Sequence, residues 1–131
     1  MSDAAEVARV TRALRNLAER VVIKITLDTH ANLIESTPVD TGWAQANWIT
    51  SVGAPVVADV SPTGIPDQRY LIGTAQVLAY KLGPPTYIVN NVPYIGRLNN
   101  GSSLKEPAGF VQRSIQKGLT EGLLALSTSP V

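Results

Sequence analysis

Residues 3–36, DAAEVARVTRALRNLAERVVIKITLDTHANLIES, decide the fold. Neither Pro nor Gly occurs between Met1 and Thr37. Ser2 is placed to cap a helix, and Asp3 and Glu6 sit at its positive end. Val7, Val10, Leu14, Leu17, Val21 and Ile25 recur every three or four residues and form a stripe. The β-branched run Val21 to Thr26 favours a strand locally, but the three-four spacing runs through it and predicts one helix over 1–36. At 1.5 Å per residue that helix spans roughly 50 Å. A compact sphere of this chain length has a diameter of about 36 Å, so the helix is too long for its own domain to cover. A second stripe, Ile23, Leu27, Ala31 and Ile34, lies on a nearly opposite side and only in the second half. Two stripes need two partners, and the expectation is this chain's sheet for one and a neighbouring subunit for the other.

Outward from the helix, Pro38 ends it, and TPVDTG makes a turn in which Asp40 and Thr41 cap backbone amides and Gly42 is free to take positive φ. Alternation predicts a strand over 43–52, and strands are also expected over 56–60 and 87–91. A surface loop is expected at 61–68. A short helix is expected over 70–82, with apolar residues at 71, 72, 75, 78, 79 and 82, ended by Gly83-Pro84-Pro85. Residues 92–106 are dense in turn formers and read as an ordered loop, with Asn100-Gly101 its sharpest turn. Pro107 suits the first position of a final helix over 107–126, whose buried side is Val111, Ile115, Leu119 and Leu126 and which Gly118 and Gly122 weaken. The fold class is α+β: a single domain over 1–131, with a long N-terminal and a C-terminal helix packed on a small antiparallel or mixed sheet.

Composition narrows the chemistry. The chain has 131 residues, 44% hydrophobic and 16% charged, which suits one globular domain. Eleven Lys plus Arg against ten Asp plus Glu leave +1, without the basic excess of a phosphate-neutralising protein. There is no cysteine, so disulfides, thiolate sites and cysteine nucleophiles are excluded. The single histidine, His30, lies inside the first helix away from any nucleophile elbow, and reads as a helix-surface or interface residue. Asp40, Asp59, Asp67 and Glu106 are scattered, and the glycines match neither a P-loop nor a dinucleotide fingerprint. No catalytic residue, metal or cofactor is therefore expected. Arg9, Arg12, Arg15, Arg20 and Lys24 read as a solvated helix face; a nucleic-acid stripe on that helix is the alternative, in a DNA-binding or packaging accessory module. No apolar run approaches the ~20 residues of a membrane span. The start MSDAAEVARV is too polar for a signal peptide, so the chain is expected to be made in the cytoplasm.

Two segments carry a resemblance. ESTPVDTGWAQANWITSVG (35–53) and YIVNNVPYIGRLNNGSSLKEPAGFVQRSI (87–115) are similar to two blocks of the tail-completion, or head–tail joining (neck), proteins of tailed phages, the family that includes the minor tail protein Z of lambda-like phages. The matching residues are Thr37, Pro38, Val39, Asp40, Thr41, Gly42, Asn47 and Trp48, then Asn90, Asn91, Pro93, Tyr94, Leu98, Gly101, Ser102, Pro107 and Gly109. The family often has Glu where Asn99 or Asn100 stands, and Ala-Pro where this chain has Glu106-Pro107. The resemblance implies a non-enzymatic virion protein. It would form a homo-oligomeric, typically sixfold ring between the portal or adaptor and the tail or tail tube, with DNA passing through. In that setting Trp48 and Tyr94 are candidate apolar anchors for neighbouring subunits.

Overall fold

The computed structural model describes residues 3–38, 42–57, 68–101 and 108–128. The chain is helix-rich α+β. Helix α1 runs Asp3–Ser36, a 3₁₀ turn covers Gln45–Asn47, and strand β1 is Trp48–Val52. Helix α2 is Gln68–Leu78, β2 is Thr86–Asn90, α3 is a short helix at Ile95–Asn99, and α4 is Phe110–Thr128. The sheet is a single antiparallel pair, with Trp48 opposite Asn90, Thr50 opposite Ile88 and Val52 opposite Thr86.

Five boundaries differ from the sequence reading, among them that of α2, which runs Gln68–Leu78 and stops short of the expected end at Leu82. The first strand starts at Trp48 because Ala44, Gln45 and Ala46 close a helical turn instead: the Ala46 amide donates to Gly42 and the Asn47 side chain donates to the Trp43 carbonyl at 2.7 Å. Val56 and Val57 pair in no strand, and 58–60 lie outside the described residues. The loop of 92–106 contains α3, started by the Val92–Ile95 turn. The last helix begins at Phe110 rather than Pro107, after Gly109 at φ 84°, whose amide donates to the Asn99 carbonyl. Pro107 itself lies outside the described residues.

Leu33, Trp48 and Phe110 form the core, with Ile34, Ile88, Ile95, Leu98 and Val111 packed on it. Helix α4 runs antiparallel along the second half of α1: Asn32 faces Ser114, Thr29 faces Gly118 and Ile25 faces Gly122. The buried positions of α4 are Phe110, Ser114, Gly118 and Gly122, one per turn. Gly118 and Gly122 do not weaken the helix at random. A Cβ on either would fall far inside contact distance of Thr29 or Ile25, so the two backbones meet where side chains are absent. The expected buried side is displaced as a result: Ile115 and Leu119 are exposed, and the Leu126 side chain is outside the described residues. Helix α2 makes a similar close approach to β1, where a Cβ on Gly73 would collide with the Thr50 carbonyl.

From the two apolar stripes of α1, Ile34 packs against the core that holds Trp48 of β1. The face turned to the sheet and its flanks is Glu19, Thr26, His30, Leu33 and Thr37, all buried and mostly polar. Of the first stripe, Ile25 meets α4 at Gly122 while Val7, Val10 and Leu14 stay exposed; the second borders the groove between α1 and α2, where Leu27, Ala31 and Ile34 face Tyr70 and Leu71. Among the described residues, no helix is long and apolar enough to cross a membrane.

Candidate functional site

Residues of the two sequence blocks converge, and several of them make hydrogen bonds there. The Thr37 hydroxyl donates to the Leu33 carbonyl and accepts the Trp48 indole N–H at 2.7 Å. Asn90 donates to the Ala44 carbonyl at 2.8 Å while its Oδ1 accepts the Val92 amide at 3.0 Å. Asn91 reaches the Val56 carbonyl, and the Tyr94 ring lies 5.4 Å from that of Trp43, tilted by 56°. Leu98 packs on the core, and Asn99 accepts the Val111 amide at 2.9 Å. Gly42 and Gly101 have φ of 80° and 90°, values that side chains resist. Pro38 is buried and Pro93 exposed. Val39, Asp40, Thr41, Ser102 and Pro107 lie outside the described residues, and so does the capping expected of Asp40 and Thr41.

This cluster is a framework that holds α1, β1, β2 and α3 together. Trp48 is buried in the chain's own core, which rules it out as an outward anchor; Tyr94 is half-buried.

His30 also differs from expectation. It is buried, its Nε2 lies 2.8 Å from the Trp48 carbonyl, and its ring is 5.1 Å from Tyr70. A carbonyl only accepts, so Nε2 carries the proton. Burial lowers the His30 pKa from the ordinary 6.5, against the smaller upward pull of that hydrogen bond. The unfolded chain then binds the proton more readily than the folded one. Stability from this group is full above pH 6.5 and is lost as the pH falls from there through the lower folded value. Melting temperature is expected to fall on acidification through that window, and less steeply in His30→Gln; parallel curves would contradict this.

The row from α1 was not visible as an apolar pattern. Glu19 accepts the Leu82 amide at 2.7 Å, Thr26 shares a hydrogen bond with Thr86 at 2.8 Å, and Asn32 donates to the Ser114 carbonyl. A signal was present in the spacing of Glu19, Thr26, His30, Leu33 and Thr37, which is helical. Reading polar residues by the same period would have found it.

Basic residues on α1 are partly paired: Arg9 with Glu6 at 2.5 Å and Lys24 with Asp28 at 2.7 Å, whose carboxylate holds Lys24 above its usual pKa. Arg12 and Arg15 are exposed and form no ion pair among the described residues. Nor do the described residues contain a group of three His, Cys, Asp or Glu able to hold a metal ion.

What stands open is apolar. Val7, Val10 and Leu14 are 64%, 39% and 51% exposed. Every side chain from Asp3 to Arg12 is exposed, so the first part of α1 projects beyond the fold. On α2 the inward residues are Gly73 and Val77, and the apolar face points out: Leu71 is 69% and Leu78 61% exposed, with Ile72 beside them and Leu82 exposed just past the helix end. Comparison with family models, curated proteins and solved structures finds no match.

Proposed function

We propose that the chain is a structural subunit of the head–tail junction of a tailed phage. In this reading it forms a sixfold ring of identical copies, meets the portal or adaptor on one face and the tail or tail tube on the other, and lets DNA pass through the centre. It is made in the host cytoplasm and ends in the virion neck. The proposal rests first on the two sequence blocks resembling those of neck proteins. The observation that carries it from the structure is that these blocks, instead of lining a cleft with reactive groups, brace a fold whose helices offer apolar faces to the outside. A subunit of this kind works through shape and surface, and needs no titratable site.

The test is made on particles. Purified virions are expected to contain the chain at a few copies per tail, and phage lacking it should accumulate heads and tails that do not join. Absence from particles, or DNA retention that falls steeply with salt, would replace this reading with the nucleic-acid one.

A further inference from the structure

Two hydroxyls on the seam between α1 and α4, those of Thr29 and Ser114, are buried without a hydrogen-bond partner among the described residues. A buried donor left unpaired is costly and asks for an explanation. Thr29 is pressed against Gly118, where not even a Cβ fits. Ser114 stands differently. It lines a cleft of about 120 Å³ together with Asn32, Glu35 and Ser36 of α1 and Arg113 and Lys117 of α4. The inner wall is polar and buried: Ser114 is 3% and Asn32 8% exposed. The Asn32 amide gives one N–H to the Ser114 carbonyl at 3.4 Å and carries a second. Ser36, the last residue of α1, adds another hydroxyl. The outer wall is cationic. Arg113 is placed by the hydrogen bond that its Nη1 donates to the Ala108 carbonyl at 2.6 Å, and Lys117, one turn further along α4, meets Glu121 only at 4.0 Å. Against these two cations the lining holds one carboxylate, the exposed Glu35.

We infer that this cleft binds one free tetrahedral oxyanion of the phosphate or sulfate class. The anion gives the Ser114 hydroxyl its missing acceptor. It also takes the second N–H of Asn32 and the charge-assisted hydrogen bonds of Arg113 and Lys117, so α1 and α4 both hold it. A cation or a neutral acceptor would leave most of these donors facing nothing suited to them. Size agrees with a small ion: the cleft has room for about four water molecules at ~30 Å³ each. It has no room for the sugars that flank a phosphodiester, which separates a free ion from a nucleic-acid backbone. Glu35 opposes the anion, and its charge therefore marks the site in a titration. The inference rests on the seam between the two helices and not on the head–tail reading.

The test titrates the full chain with inorganic phosphate and follows it by NMR, with chloride adjusted to keep the ionic strength constant. Saturable shifts are expected at Asn32, Ser114 and Lys117. Lys117→Met is expected to weaken binding about tenfold, the loss of one charge-assisted hydrogen bond. Ser114→Ala is expected to weaken it as well, and Glu35→Gln to tighten it. Lys117 and Glu35 are exposed, so their variants keep the test open should Ser114→Ala fail to fold by circular dichroism. Shifts that never saturate, the same shifts from chloride alone, or an affinity unchanged in both Lys117→Met and Glu35→Gln overturn the site. Duplex DNA is the second arm. It is expected to leave bound phosphate in place, and displacement of phosphate by the duplex would overturn the assignment to a free ion.

Discussion

Gly118→Leu is expected to destabilise the chain by about 3 kcal/mol or more, a large part of the 5–15 kcal/mol that holds an ordinary domain. Gly118 has no room for even a Cβ, because Thr29 on α1 already occupies the space, and a leucine would force α4 off its seat. Intrinsic propensity argues the other way, since leucine favours a helix over glycine by nearly 1 kcal/mol. The sign of the effect therefore separates packing from propensity. Gln116→Leu on the exposed side of the same helix is expected to stay within about 0.5 kcal/mol of wild type. Urea unfolding of the two variants is the measurement, and a stabilised Gly118→Leu would refute the close approach of α1 and α4.

Trp48→Ala is expected to cost about 3–5 kcal/mol, the range for truncating a large aromatic side chain in a core. Trp48 packs with Leu33 and Phe110 and is the first residue of β1. Its indole also spends its one donor on Thr37, so the strand is tied to the end of α1 at that point. Trp48→Phe keeps most of the apolar contact and removes the hydrogen bond; a loss of about 1 kcal/mol is expected. Equal losses in the two variants would mean that the indole N–H, and not the ring, carries the stability.

The elements were legible where local physics acts alone. An unbroken run of 34 residues without Pro or Gly announces α1, and the alternation of Trp48, Thr50 and Val52 with Ile49 and Ser51 announces β1. What the pattern misplaced was direction. Apolar residues mark the inside of a helix when it has one neighbour and that neighbour is oily. Here α4 meets α1 through Ser114, Gly118 and Gly122, and α2 meets β1 through Gly73, so small residues mark the contacts and larger ones such as Ile115 and Leu71 are left outside. His30 was misplaced for a related reason. Its burial depends on the Trp48 carbonyl, eighteen residues away in sequence. The bonding within the two motif blocks was legible only as turn-forming composition, because the partners of Thr37 and Asn90 come from other segments.

The polar row along α1 has a mechanical consequence. An oily face tolerates sliding, since one leucine replaces another a turn further on. Glu19, Thr26, His30, Asn32 and Thr37 each have a named acceptor or donor on a different part of the chain. A slip of one turn, 5.4 Å, would break all of these bonds together, at about 1 kcal/mol apiece and more for groups left buried. Helix α1 is thus a ruler clamped at one end: the clamp fixes to a single turn how far its free tip reaches.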